Sequence, residues 1–173
     1  MPWRSFGETL RYSPIDVAST VMKIRLLWPG KTKNVALRDL EEFYLKRIRE
    51  LIPCEAVATP GARGLDDRRA DTVREIEARG LEKHIKDDYI VCLFDEGREM
   101  SSQEFARFFE RRAAESARTV TFVVGGCAGL ARRILDRADA QLSLSRMTFS
   151  HELCRIVLME QIYLSNTIMK GRP

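Results

Sequence analysis

Two short stretches in the second half of the chain carry residue types suited to holding a ligand. The first is residues 125–129, which read Gly-Gly-Cys-Ala-Gly and follow the β-branched run 119–124. Glycine lets a backbone approach a ligand closely and leaves N–H donors accessible. The segment lacks the Lys-Ser/Thr of a phosphate-binding P-loop and the acidic residue of a dinucleotide-binding fold. It is compatible with a ligand loop and also with a simple strand-to-helix turn.

The second stretch is residues 142–151, in which hydroxyl side chains surround a Met and a Phe. Ser150 is placed to cap a helix that begins at His151, which would leave free backbone N–H groups at the loop. Arg155 follows His151 by four residues and shares its helix face, and Tyr163 lies two turns further on a similar face. Such a face could hold a nucleotide through phosphate contact and stacking. The simpler interpretation is that His151 is a polar first-turn residue and Arg155 pairs with a glutamate of the same helix.

Other chemistries have no clear signature in this chain. The four cysteines form no CxxC pair and lie far from either histidine, which argues against a zinc site or any other metal centre. No GxSxG motif is present. Asp95 and Glu96 are adjacent in a predicted loop, where neighbouring side chains tend to point apart, so a two-carboxylate hydrolase is disfavoured.

Composition limits the class of protein. The chain has 173 residues, 45% of them hydrophobic and 31% charged, which fits one globular domain and excludes collagen-like or disordered chains. No apolar run is long enough to cross a bilayer, and no export signal is visible, so we expect a cytoplasmic protein with reduced cysteines. The net charge of +4 comes from 22 Arg and 7 Lys against 25 acidic residues. This Arg-rich set suits an RNA or phosphate partner without requiring one.

The periodicity predicts alternating strands and helices. The expected strands span 24–28, 55–59, 89–94, 119–124 and 140–144, and the expected helices span 34–51, 71–79, 102–117, 131–137 and 151–169. This order indicates an α/β fold with a parallel sheet and helices on both faces, and 119–124 as a central strand. Because ligands of such sheets bind beyond the carboxyl ends of strands, the loops 95–98, 125–129 and 145–150 are the expected site.

The first 21 residues differ from the rest. They show no sustained helix or strand period, and Met22 directly precedes a strand-like run. We therefore expect residues 1–21 to be a non-native or disordered N-terminal extension and residues 22–173 to form the domain.

Several motifs, taken together in their order, are specific. They are Leu93-x-x-x-Gly97, Ser101-Ser-x-Glu-Phe105, Phe122-Val-Val-Gly-Gly-x-x-Gly-Leu130, Leu142-Ser-Leu-Ser-x-Met-Thr-x-x-His151-x-Leu-x-Arg155 continuing to Glu160-Gln-x-Tyr163, and Lys170-Gly-x-Pro173. In this order and spacing they closely resemble the ribosomal RNA large subunit methyltransferase H family, part of the SPOUT class of knotted methyltransferases. Thr59-Pro-Gly-Ala-Arg63-Gly64 matches a further landmark of that family.

The resemblance implies a single-domain SPOUT fold with a deep C-terminal trefoil knot that binds S-adenosyl-L-methionine. It also implies a homodimer that methylates N3 of a pseudouridine in 23S rRNA on the assembled ribosome. Carried onto this sequence, the cofactor contacts fall on Leu93, Gly125, Leu144, Ser145, Arg146, Met147, Thr148 and Phe149. His151, Arg155 and Tyr163 match the polar helix and become the candidates for holding RNA. Of these, His151 could accept the N3 proton and Arg155 could stabilise the developing anion.

Homodimerisation is also expected because the last helix carries more apolar side chains than one sheet face can cover, although full burial within one chain is the alternative. Two departures from the family are visible. Phe94 stands where many relatives have Asp, which we discount because the resemblance implies contacts through the backbone there. The departure that matters is that the chain ends at Pro173 where the family continues with Pro-Tyr-His. An alternative function is therefore a ribosome-binding SPOUT-fold protein without turnover. A further alternative is an unrelated nucleotide-binding α/β enzyme.

Overall fold

The computed structural model describes residues 22–64, 67–86, 88–115 and 119–171. The strands are β1 Lys23–Pro29, β2 Cys54–Thr59, β3 Tyr89–Glu99, β4 Thr119–Val123 and β5 Ala140–Ser143. The helices are α1 Val35–Arg49, α2 Ala70–Glu82, α3 Ser102–Ala114, α4 Arg132–Asp136 and α5 His151–Met169, with a 3-10 turn at Asp67–Arg69. The expectation for residues 1–21 lies outside the described residues.

The five strands form one parallel sheet in the order β2-β1-β4-β3-β5. This confirms the predicted α/β class and the central place of the 119–124 segment, since β4 lies between β1 and β3. Val120, Phe122 and Val123 are fully buried, as expected for a strand covered on both faces.

The helices cover both faces of the sheet. On one face, α1, α3 and α5 enclose a core that includes Leu26 of β1 together with Phe109 and Leu158. On the other face, α2 and α4 pack over Leu27 and Val123. Neighbouring residues of β1 thus point to opposite cores, which follows from the two-residue period of a strand.

Side chains at the helix starts fix where three of the helices begin. Ser101 and Glu104 form the predicted capping box of α3. The Asn34 side chain caps α1 by accepting from the Leu37 N–H at 3.1 Å. Ser150 caps α5 by accepting from the Leu153 N–H at 3.3 Å, as predicted.

Among the predicted boundaries that differ from the structure, two involve closely packed glycines. The strand expected to end at Phe94 continues to Glu99, so the expected loop 95–98 is a bulge inside β3 around which both Leu93 and Arg98 pair with Leu142. A Cβ on Gly97 would lie 2.8 Å from the backbone of Leu142. Helix α2 passes through Gly80, which was expected to end it, because that glycine packs against Thr59.

Candidate functional site

A cavity of about 580 Å³ lies at the carboxyl edge of the sheet, beyond β3, β4 and β5. Its walls come from residues 93–95 in β3, residues 124–130 after β4, and residues 142–151 from β5 to the start of α5, with Arg74 and Cys154 at the sides. The parallel order of the strands brings these segments to one edge. They include the predicted segments 125–129 and 145–150 except Arg146, whereas Asp95 is the one residue of the predicted segment 95–98 that lines the cavity.

The glycine loop, residues 125–129, is a tight turn closed by a hydrogen bond between its own backbone groups. The Gly129 N–H donates to the Gly126 carbonyl at 3.0 Å, and Gly129 has φ +78°. A Cβ on Gly125 would lie 2.7 Å from the Gly129 carbonyl carbon. The close turn therefore needs glycine at position 125, while its backbone still lines the cavity.

The loop after β5 is held by its own hydroxyl groups. The Ser143 hydroxyl donates to the Ser145 carbonyl at 3.1 Å, and the Met147 N–H donates to the Ser145 hydroxyl at 2.9 Å. Of the cofactor contacts implied by the resemblance, Leu93, Gly125, Leu144, Ser145, Met147, Thr148 and Phe149 line the cavity. Arg146 does not line it.

His151 lines the same cavity from the first turn of α5. Its side chain is half-buried, and this burial, together with the positive charge of Arg155, lowers the pKa of His151 below its usual 6.5. The imidazole is therefore mainly neutral at pH 7, in the form that accepts a proton.

Arg155 faces away from the cavity. It is 1% exposed and donates to the Thr32 hydroxyl at 3.0 Å and to the Pro29 carbonyl at 2.9 Å. Its guanidinium carbon lies 5.0 Å from the centre of the Trp28 ring. Glu152, one of its expected partners, instead accepts from the Lys33 and Asn34 N–H groups. Arg155 thus ties α5 to the end of β1, and its side chain is not presented to a ligand in this cavity.

Tyr163 also lies apart from His151. The two residues are twelve positions apart on α5, which corresponds to about 18 Å along the helix axis. The guanidinium of Arg47 from α1 lies 4.4 Å from the centre of the Tyr163 ring and donates to its hydroxyl at 2.6 Å. The predicted His/Arg/Tyr face is therefore divided among three environments.

The sequence did not indicate several residues that contribute to the site. Arg74 reaches the cavity from α2 and donates to the Ala128 carbonyl at 2.8 Å. Cys154 lines the cavity as well, together with Cys127 of the predicted glycine loop. Glu77 lies behind the glycine loop, where a Cβ on Gly126 would be 2.6 Å from its Oε2 atom. No local pattern could have found Arg74 or Glu77, because the packing of α2 beside the loop is a tertiary feature.

The wall of the cavity is mainly neutral. Its charged or titratable side chains other than cysteines are Arg74, Asp95 and His151, and the remainder consists of backbone, hydroxyl and apolar groups. Within the described ranges, no cluster of three His, Cys, Asp or Glu side chains could hold a metal ion. No helix in that part of the chain is long and apolar enough to span a bilayer.

A parallel α/β sheet with a glycine loop, a hydroxyl-rich loop and a neutral histidine around one cavity at its strand ends is the arrangement in which enzymes of the open α/β class bind small ligands. A family model described as "Predicted SPOUT methyltransferase" matches residues 22–173. The chain therefore belongs to the SPOUT methyltransferase family.

Curated relatives agree with this assignment. The chain is 36% identical over 156 residues to "Ribosomal RNA large subunit methyltransferase H" of Enterococcus faecalis, covering 88% of this chain and 98% of that one. It is 38% identical over 154 residues to the protein of the same name from Nitratidesulfovibrio vulgaris, covering 87% of this chain and 96% of that one.

Solved structures show the same fold at low sequence identity. A probable methyltransferase from Bordetella pertussis has a TM-score of 0.52 at 12% identity, covering 83% of this chain and 96% of that one. A probable methylase family protein from Haemophilus influenzae has a TM-score of 0.50 at 11% identity, covering 87% of this chain and 69% of that one.

Proposed function

We propose that this protein transfers a methyl group from S-adenosyl-L-methionine to N3 of a pseudouridine in 23S rRNA, on the assembled ribosome in the cytoplasm. The observation that carries the proposal is the cavity, whose walls come from the segments that also carry the family motifs. The names of the curated relatives support ribosomal RNA of the large subunit as the substrate.

The chemistry of the wall suits this cofactor better than a nucleotide polyphosphate. S-Adenosylmethionine is a zwitterion with one additional positive charge on sulfur. A nucleoside triphosphate would need several cations or a metal ion, whereas Arg74 is the one Arg or Lys among the described residues that line the cavity. Backbone groups at Leu93, Gly125, Leu144, Ser145 and residues 147–149 would hold the adenosine and methionine parts, whereas Arg146 lies outside the cavity wall.

When bound, S-adenosylmethionine supplies a methyl group on a sulfonium sulfur that leaves as a neutral thioether. The protein must therefore orient the base and remove the N3 proton. Neutral His151, in the cavity wall, would accept that proton as the nitrogen lone pair forms the new N–C bond. Its lowered pKa keeps the accepting form populated at neutral pH.

We propose a positioning role for Arg155 in place of direct contact with the developing anion. Its positive charge contributes to the low pKa of His151, and its hydrogen bonds tie the first turns of α5 to the end of β1. Tyr163, stacked under Arg47 on the surface shared by α1 and α5, stays a predicted RNA contact.

A homodimer and a trefoil knot complete the proposal. Helix α5 buries Ile156, Leu158, Met159 and Ile162 within its own chain, but it leaves Leu153 and Leu164 36% accessible. Helix α1 exposes Val35 and Phe43 more strongly, at 60% and 47%, and these side chains support a contact with a second subunit. The observation that supports a knot in the C-terminal part is the pairing of β5 with β3 on either side of the β3 bulge.

The proposal is tested by calorimetric titration with S-adenosylmethionine, followed by methyl transfer to ribosomes that lack this modification. We expect binding, and transfer to one 23S pseudouridine mapped by mass spectrometry. His151→Gln should lower turnover by about 100-fold or more while leaving cofactor affinity nearly unchanged. His84→Gln is the matched control, because His84 is the other histidine of the chain and does not line the cavity.

Wild-type protein that fails to bind the cofactor would reject the methyltransferase mechanism. Binding to cofactor and ribosomes without transfer would favour the ribosome-binding alternative. An unchanged turnover for His151→Gln would reject the role of His151 alone.

A further inference from the structure

We propose that Arg74 is the oxyanion contact of this cavity and that it determines which ligands are held there. The inference rests on the proposed function, since it takes the cavity as the place where cofactor and RNA meet. The residue belongs to α2, outside the three strand-end segments that form most of the wall.

The guanidinium is held at the tip of the glycine loop by a rigid element. Val73, Ala78 and Leu81 of α2 are buried and anchor the helix against the sheet. From this helix, Nη1 of Arg74 donates to the Ala128 carbonyl at 2.8 Å. The cation therefore has a fixed place beside the loop before any ligand arrives.

The guanidinium also keeps capacity for a ligand. It has five N–H donors, and the bonds to the Ala128 carbonyl and the Asp71 carboxylate use two of them. The Asp71 side chain is 94% exposed, so this ion pair is weak and can be exchanged for another anion. Arg74 itself is 32% exposed at the cavity edge, which leaves its fork accessible to a carboxylate or phosphate.

The charge of the wall makes Arg74 the natural partner of a negative group. Among the residues that the structure describes, the other charged or titratable side chains of the wall, apart from cysteines, are Asp95 and the mainly neutral His151. A ligand that carries one oxyanion would bring that group to Arg74. Two sources share this chemistry, the amino-acid carboxylate of the cofactor and a phosphate of the RNA.

The first possible source of the oxyanion, the carboxylate of the cofactor, is tested with two ligands of which only one carries that carboxylate. S-Adenosylmethionine and methylthioadenosine share the 5′-thioadenosine part with its S-methyl group, but methylthioadenosine has a neutral thioether sulfur and lacks the amino-acid group. We expect Arg74→Gln to weaken S-adenosylmethionine binding by about tenfold or more and to leave methylthioadenosine binding unchanged. Arg74→Lys keeps the charge and should recover part of the loss.

Two variants control for indirect effects. Arg132→Gln removes a guanidinium that is 85% exposed on α4 and does not line the cavity, so both affinities should stay at wild-type values. Asp71→Asn removes the competing carboxylate, and S-adenosylmethionine should bind at least as tightly as to wild type. Thermal melts of all variants show whether each chain is folded at the assay temperature.

Ribosome methylation at varied salt tests the second source. If both small ligands bind Arg74→Gln normally while KM for ribosomes rises and depends less on salt, the oxyanion is an RNA phosphate and the inference stands. An equal loss of affinity for both small ligands would indicate that Arg74 only stabilises the glycine loop, and it would overturn the inference. Unchanged affinities together with an unchanged KM would overturn it too. Wild-type protein that binds neither small ligand would instead reject the proposed function.

Discussion

Gly125→Ala should weaken cofactor binding while the protein still folds. The added Cβ would lie 2.7 Å from the Gly129 carbonyl carbon and 3.0 Å from the Leu130 nitrogen, both backbone atoms that cannot rotate away. Ordinary contact begins near 3.4 Å, so the turn must open by about 0.7 Å (3.4 − 2.7). Overpacking of this size costs about 1–3 kcal/mol, which corresponds to a loss of affinity of about 5- to 150-fold if the bound loop bears the cost.

The assay is calorimetric titration with S-adenosylmethionine, with a thermal melt of the same sample. Gly64→Ala is the matched control, because Gly64 has φ +69° and no heavy atom within 4 Å of its added Cβ. It should lower stability through backbone strain alone, by about 1–2 kcal/mol, and leave binding unchanged. A Gly125→Ala protein that binds within twofold of wild type would refute the argument that this closed turn shapes the cofactor site.

Three further predictions concern other parts of the molecule. Cys127 is exposed in the cavity, whereas burial raises the pKa of Cys92 to about 12, so N-ethylmaleimide should modify Cys127 first. S-Adenosylmethionine should slow the modification of Cys127. Equal rates with and without S-adenosylmethionine would indicate that the cofactor binds elsewhere. Burial raises the pKa of Glu77 above 4.5, so its contribution to stability is full below pH 4.5 and is lost as pH rises through the raised value. Glu77→Gln should therefore raise Tm at pH 7 to 8 and gain little near pH 4.5, and a lower Tm throughout would contradict this. For the proposed homodimer, Phe43→Ser on α1 should give a monomer in light scattering, while Ile76→Ser on the opposite face of the sheet should leave the oligomeric state unchanged. A wild-type monomer would reject the proposed dimer.

Much of the fold follows from local sequence signals. The β-branched run 119–124 predicted a central strand, and the predicted limits of the last helix, 151–169, agree with the observed α5. The Ser101 and Glu104 spacing located the start of α3 through a capping interaction that involves only neighbouring residues. Strand ends at one sheet edge then placed the candidate site.

The remaining features depend on contacts between distant segments. Gly97 looked like a loop residue, yet it marks a bulge because the backbone of Leu142 lies against it. The spacing of His151 and Arg155 suggested one polar face. Arg155 is buried instead, because it donates hydrogen bonds to the Pro29 carbonyl at the end of β1 and to the Thr32 hydroxyl just after it. Arg74 lies at the site because α2 packs beside the glycine loop, which is a tertiary contact that the local sequence does not show. The spacing of residues in the sequence predicts which side chains share a helix face. Which segments pack against that face is decided by the tertiary fold.

The sheet topology has a consequence for when the protein becomes functional during its own synthesis. Segments from Arg74 to Cys154 form the cavity, and β5 is an edge strand that pairs only with β3 in the described sheet. The first half of the chain can assemble β1, β2 and their helices, but the cavity stays open until the start of α5 has emerged and docked. Because nascent chains fold from the N-terminus onward, the cavity is completed only after the start of α5 has been synthesised. An unfinished chain therefore lacks a complete cavity wall.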